Sequence, residues 1–384
     1  MRTRTSPKRS RKAPQGREGS VSINAPEKSY EVIKLGVDTH GGQYTFARMI
    51  DNLGVQPSQK MAPDLFIEFL QKQLKLAKRV VMVYEAGPYG FSLYRQATGL
   101  GVECLVCAPE RLSRGRKRVN DKIDARELLC RLDRQLAGND AALRLVRPPT
   151  LEQELSRRQA RERNVYRKER QRWMGRGRSC LHTLGIARPG RWWEAGRFME
   201  LMEIVRSRHG QKACDLVAAE LEHYLEALRW AQKKLEEMTA VLKKASRERK
   251  ESRVKGVGEL SDELLNREVG DWDRFTNRRQ VGSYFGLCPG EDSSGDTQMN
   301  LSIDKHGNPR VRAVLVECAW LLPRLQPNYK ALQRWKWVFD PGNKAGKAIR
   351  KKAAVALGRR FGVDLWRIKT GRARAEDLGL VLAK

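Results

Sequence analysis

EVIKLGVDTH, residues 31–40, is the stretch on which the fold turns: Val32, Ile33, Leu35 and Val37 run apolar into an acid, Asp38, as in a strand that ends at an active-site rim. RVVMVYEAGPYG, residues 79–90, repeats the arrangement, apolar from Val80 to Val83 and broken by Gly87 and Pro88 just after Glu85. Two adjacent strands of this kind bring their terminal acids together. VNDKIDARELLCRL, residues 119–132, opens a helix on Asp121 and Asp124, whose spacing of three puts both on one face.

Four carboxylates gathered in this way repel one another by roughly 1 to 4 kcal/mol per pair at ~4 Å, so something cationic must hold them. Oxygen-only donors favour Mg²⁺, with Mn²⁺ as its substitute, over zinc, and a pair of such ions stabilises both the attacking and the leaving oxygen at a phosphodiester. The plainer reading makes Asp121 a helix cap with Asp124 at the third position, and leaves Asp38 and Glu85 as loop acids. The order of elements favours the site. Strands are expected near 31–37, 43–51 and 55–61, a helix at 63–77, a strand at 79–84, a helix at 88–99, a strand at 102–107 and a helix at 121–136, a ribonuclease-H-like succession.

Lys and Arg number 76 against 45 Asp and Glu, a formal net charge of +31 spread along the chain, which implies a polyanionic partner and strong salt dependence. Nucleic acid is the first candidate. No apolar run approaches ~18 residues and the polar N-terminus lacks a secretory signal, so a soluble, intracellular protein with no membrane partner is expected. Seven cysteines, an odd number, argue for a reducing compartment rather than a disulfide framework. Cys104 and Cys107 have C-x-x-C spacing, but no second pair follows and GVECLVCAP reads as a buried strand. The five histidines are scattered, which speaks against a histidine metal cluster.

Residues 1–29 are basic and poor in large apolar side chains, as in a disordered tail. An α/β domain fills 30–147, up to a hinge at Pro148 and Pro149. A helical region, 148–250, follows. Its first half carries many arginines between Arg157 and Arg178, read as a basic nucleic-acid face. In its second half Leu221, Leu225, Leu228, Ala231, Leu235, Met238, Leu242 and Ala245 alternate steps of three and four. That stripe fits a coiled coil for dimerisation, a spacer, or packing within the chain. The last domain, 251–384, opens on RVKGVGELSDELL, where Gly256 and Gly258 resemble a helix-hairpin-helix phosphate turn ahead of a helix near Ser261. Toward its end Lys347, Arg350, Lys351, Lys352, Arg359 and Arg360 give a helix a dense basic face for nucleic acid. Gly342, Gly346 and Lys347 do not make a P-loop: the glycine spacing is short, and Ala348 stands where Ser or Thr is needed.

Between FGLCPG and a helix beginning near RVRAVLVECAW lies EDSSGDTQMNLSIDKHGNP, which reads as a polar loop holding Ser293 and Ser294. Placed after VGSYFGLCP and before KHGNPRVR, it resembles the C-terminal domain of the DEDD insertion-sequence transposases, the IS-one-ten family. GVDTH, YEAGPYG and NDKIDAR match that family's RuvC-like motifs in order and approximate spacing. The resemblance covers most of 30–370 and implies an α/β plus α protein: a RuvC-like catalytic domain, a helical or coiled-coil insertion and a mainly helical C-terminal transposase domain. It implies a bacterial, cytoplasmic, nucleoid-associated recombinase acting on double-stranded donor and target DNA, guided by a structured noncoding bridge RNA, as a homodimer assembling to a tetramer. By motif matching, Asp38, Glu85, Asp121 and Asp124 hold Mg²⁺ and Ser294 is the nucleophile, with Ser293 one residue away as the alternative. In the family, the acidic domain of one subunit is thought to meet the serine domain of another.

The chain departs from the family in having Thr39, His40, Gly41 and Gly42 where a Lys often follows the first Asp, and Asn300 and Leu301 where a Gly is common. A plain RuvC-like nuclease or junction resolvase using activated water is the main competing reading. An actin-like sugar or acetate kinase lacks its second phosphate motif, and a non-catalytic nucleic-acid scaffold would leave the acids without work.

Overall fold

The structure, a computed structural model, describes residues 29–109, 121–249, 251–294, 297–340, 342–343 and 345–383, with backbone alone for 121–122, 291–294 and 297–301. The basic tail therefore lies outside the described residues. Two compact units divide at Pro148 and Pro149.

The first unit is a five-stranded mixed sheet between helices. Strands β1 (Tyr30–Thr39) and β2 (Tyr44–Ile50) pair antiparallel, and the short β3 (Gln59–Met61) pairs antiparallel with β2. Helix α1 (Pro63–Leu76) carries Pro at its first position and Asp64 in its first turn, both suited to a helix start, and leads to β4 (Ala77–Glu85). Helix α2 (Ser92–Gly99), β5 (Glu103–Cys107) and α3 (Asp121–Leu136) complete the order β3-β2-β1-β4-β5, with β1, β4 and β5 parallel. Ile33, Leu35, Val37, Met82 and Tyr84 pack under α1 and α2, through Phe66, Leu70 and Leu93. Val81, Val83 and Cys107 pack under Leu128 and Leu132 of α3. Burial on both faces is why β4 reads as an unbroken apolar run.

Two boundaries differ from expectation. β3 begins at Gln59 rather than 55, and β2 ends at Ile50, where Asp51 turns the chain at φ +48 and its carboxylate accepts from the backbone N–H of Glu31 and Val32. α2 begins at Ser92 rather than 88, because Gly87 to Gly90 form a turn with Gly90 at φ +68. Cys104 and Cys107 stand three apart in β5 and enter the cores of opposite sheet faces, so their sulfurs share no site. Burial pushes the Cys104 thiol up to about 12.

The second unit is mainly helical. Helix α4 (Leu151–Thr183) starts with a capping box formed by Thr150 and Gln153, and α5 (Ala195–His209) and α6 (Gln211–Glu248) follow. α6 packs along α4, so the leucine stripe open to dimerisation or internal packing is taken up inside the chain. All eight of its residues are buried or half-buried there. Three α4 arginines are engaged within the chain: Arg161 pairs with Glu268, Arg163 Nε donates to Thr239 and Arg157 to the Arg267 carbonyl.

Strand β6 (Arg253–Val254) precedes α7 (Glu259–Val269), α8 (Arg278–Phe285), β7 (Pro289–Ser294), β8 (Thr297–Ile303), α9 (Pro309–Leu325), α10 (Lys336–Phe339), α11 (Lys347–Lys369) and β9 (Leu382–Ala383), which pairs with β6. The phosphate-turn resemblance meets an obstacle at α7, whose first turn holds Glu259 and Asp262, already paired with Arg247 and Lys369. Those acids occupy the positive helix end that a phosphate would need. α11 is basic in its first half, but Phe361 to Trp366 are all buried, with Gly362 admitting the Phe285 ring and Leu315. No described helix is long and apolar enough to cross a membrane.

Candidate active site

Gly36 lies opposite Val83 and Val37 opposite Tyr84 in the parallel pairing of β1 with β4, so one further step sets Asp38 beside Glu85 at the strand ends. Neighbouring strands lie about 4.8 Å apart. Val81 and Val83 face α3, and Glu85, at the same alternation, belongs to that face. Gly36 identifies the face of β1. A Cβ there would sit 2.3 Å from the Ala125 carbonyl oxygen and 2.4 Å from the Leu129 nitrogen, so α3 passes directly over it, and Asp38, two residues on, faces the same way.

The heading of α3 follows from a second contact. Lys34, two residues before Gly36, places Nζ 2.6 Å from Asp133 Oδ1. Stepping from Lys34 to Gly36 to Asp38 therefore steps backward along α3, from Asp133 through Leu129 and Ala125 to its first turn. The helix runs antiparallel to β1 and opens, with Asp121 and Asp124, at the end of the sheet that carries Asp38 and Glu85. Three expected site residues, Asp38, Glu85 and Asp124, thus share one edge. Asp121 starts the same helical turn, and its side chain lies outside the described residues.

His40 was missed by motif reasoning. Its Nε2 lies 3.1 Å from Asp38 Oδ2, with Asp38 one-quarter exposed (25%) and the imidazole half exposed (52%). The signal was available in the two-residue spacing, which returns a strand side chain to the same face. The Gly87–Gly90 turn lays the Tyr89 ring against Gly41, within 3.1 Å of where its Cβ would be. Among the described residues, no three His, Cys, Asp or Glu side chains converge closely enough to hold a metal ion. The donor chemistry at this edge is nonetheless carboxylate oxygen, the kind suited to Mg²⁺.

Ser293 and Ser294 fall in a hairpin rather than a loop. In β7 Ser293 pairs with Gln298 and Ser294 with Thr297 of β8, and Gly295 and Asp296, which follow Ser294 in sequence, lie outside the described residues, as do the serine side chains. The hairpin's roots are tightly held. Gly307 packs against the Ser283–Gly286 backbone so closely that a Cβ would meet the Gly286 nitrogen at 2.2 Å. Asn308 caps α9 by accepting from the N–H groups of Arg310 and Val311, and its Nδ2 donates to Glu268 Oε2 at 2.8 Å. Glu268 is fully buried (1% exposed) and receives both Arg161 donors at 2.9 Å. Burial pushes its carboxyl up, but the hydrogen bonds from Arg161 and Asn308 outweigh burial and hold it below the usual carboxylate range.

The sequence profile of the Transposase IS116/IS110/IS902 family matches residues 252–334, a span that contains the serine hairpin. The chain is 31% identical over 310 residues to "Putative transposase y4rJ" of Sinorhizobium fredii, covering 75% of this chain and 76% of that one. It is 25% identical over 285 residues to the transposase for insertion sequence element IS1111A of Coxiella burnetii, covering 72% and 74%. It is 24% identical over 307 residues to the transposase for insertion sequence element IS1533 of Leptospira borgpetersenii, covering 75% and 84%. All three of these alignments reach beyond the span of the family profile.

Proposed function

Because this chain belongs to the IS116/IS110/IS902 family of transposases, we propose that it cuts and rejoins the donor and target DNA of an insertion sequence through a covalent phosphoserine at Ser294. The observation that carries this reading is the shared edge of Asp38, Glu85 and the first turn of α3, fixed by the passage of α3 over Gly36. A strand order of β3-β2-β1-β4-β5, antiparallel on one side and parallel on the other, supports a RuvC-like, ribonuclease-H-like assignment for this unit.

Asp38, Glu85, Asp121 and Asp124 would hold Mg²⁺, which when bound supplies charge stabilisation to the attacking and leaving oxygens. Asp38 and Glu85 come from rigid strands rather than loops, so little ordering remains to be done when DNA binds. Ser294 Oγ attacks phosphorus as one phosphodiester P–O bond breaks. The serine proton is lost in the attack, and the departing strand oxygen gains one. One ester replaces another, so the reverse attack by a strand hydroxyl rejoins DNA without ATP. Guidance by a bridge RNA, and assembly as dimers or tetramers, belong to the same proposal and draw on the family resemblance.

The test is denaturing electrophoresis of the full chain with end-labelled donor DNA and Mg²⁺. Wild type and Ser293→Ala should give a protein–DNA adduct resistant to denaturant, and Ser294→Ala none. Cleavage that persists in Ser294→Ala without an adduct would instead identify a nuclease that activates water. RNA that copurifies as one defined structured species would support guidance, and a heterogeneous mixture would oppose it.

A further inference from the structure

The second unit holds a cleft of about 1160 Å³ that the reaction above leaves without a role. Helix α8 lends it Arg278 and Arg279, and α11 lends Lys351, Lys352, Arg359 and Arg360. Lys330, Arg334 and Trp335 come from a 3-10 helix, Lys330–Trp335. Among the described residues, no carboxylate lines it. Of these eight cations, only Arg360 is within salt-bridge distance of an acid among the described residues, 3.0 Å from Asp364. Asp364 is buried (1% exposed) and also accepts from the Tyr329 hydroxyl at 2.8 Å, so it fixes the direction of Arg360.

Seven cations with no described acid within salt-bridge distance, in one concavity, raise one another's energy, and walls of low dielectric concentrate their field on whatever enters. The floor is apolar, with Leu287, Val355 and Val363. Trp335 is half-buried, with the Arg334 guanidinium 5.6 Å from its ring centre. An aromatic platform beside a cation track suits an unpaired base next to its own phosphates. The rim is formed by Pro289 and Ile303, paired at the root of the β7–β8 hairpin, together with Ser302.

We propose that this cleft binds a single DNA strand, its phosphates on the α8 and α11 cations and one unstacked base on Trp335, and leads that strand to the serine hairpin. The choice of DNA rests on the reading of Ser294 as nucleophile. Binding itself can be measured apart from that reading.

The experiment uses the full chain carrying Ser294→Ala, so that no adduct forms, and fluorescence anisotropy with a short mixed-sequence single-stranded deoxyoligonucleotide, its duplex, and the matching RNA strand. Lys351 and Lys352 are exposed, so Lys351→Ala with Lys352→Ala should leave the thermal melt unchanged. Their joint loss should flatten the slope of log affinity against log salt by about 1.4, at 0.7 per phosphate contact in a single strand. Trp335→Ala should weaken single-strand binding roughly 5- to 150-fold, and Trp335→Phe should retain most of it. An unchanged slope and affinity would overturn the proposal. So would an equal loss for the duplex with Trp335→Ala, or a loss confined to RNA. If the cleft variants behave as expected while the parent chain forms no adduct with DNA, the serine reading fails and the strand-binding cleft stands.

Discussion

Replacing Gly36 with alanine adds one methyl group at the point where α3 crosses β1. The new carbon would sit 2.3 Å from the Ala125 carbonyl oxygen, 2.4 Å from the Leu129 nitrogen and 2.8 Å from the Leu129 Cα. All three are backbone atoms, so no rotamer change relieves the clash and the helix must retreat by about 1 Å to reach ordinary contact. Overpacking of this kind costs about 1 to 3 kcal/mol, and the rigid neighbours place this substitution at the upper end. At 2 to 4 °C per kcal/mol for a protein of 150 to 250 residues, a cost of about 3 kcal/mol lowers the melting temperature of the first unit by about 6 to 12 °C. The functional effect should be larger than the stability effect. Asp124 moves with the helix while Asp38 and Glu85 stay with the sheet, and a displacement of about 1 Å at a reacting centre can cost on the order of 10²-fold in rate. Thermal unfolding and DNA cleavage would be measured side by side, with Gly54→Ala as the control because nothing lies within 4 Å of its added carbon. A Gly36→Ala protein that melts and cleaves like the control would refute both the close crossing and the joint placement of the acids.

Two further predictions concern the second unit and the metal. Glu268→Gln should cost about 2 kcal/mol, since it removes the charge that Arg161 and Asn308 address, and Arg161 is itself partly exposed (44%). The folded-state pKa of Glu268 is lowered from 4.5, so its stabilisation is present above that value and lost as pH falls through the depressed folded pKa. Melting temperature followed into acid should drop more steeply in wild type than in Glu268→Gln, and parallel curves would discredit the pair as a stabilising contact. Chelation should abolish DNA cleavage, with Mg²⁺ or Mn²⁺ restoring it and Zn²⁺ failing to, as expected of oxygen-only donors. Cleavage that survives exhaustive chelation would remove the metal from the mechanism.

The strands of the first unit were legible because their chemistry is local: β1 and β4 are apolar runs ending in an acid, and burial on both faces leaves no other use for such runs. The serine segment was misread for the converse reason. EDSS and TQMN offer no apolar alternation, and β7 and β8 are defined by their backbone ladder. In α6 the stripe from Leu221 to Ala245 was seen, but a repeat of three and four is the same whether the partner helix belongs to another chain or to this one. Only the return of α6 along α4 decides it. The site itself shows the same division. Helical spacing placed Asp121 and Asp124 on one face but could not give the helix a heading, because periodicity carries no information about which end meets the sheet. The heading comes from two long-range contacts, Lys34 with Asp133 across 99 residues and Gly36 beneath Ala125 and Leu129. The residue that most constrains where Asp124 sits is therefore one with no side chain, and a search for carboxylate chemistry passes over it.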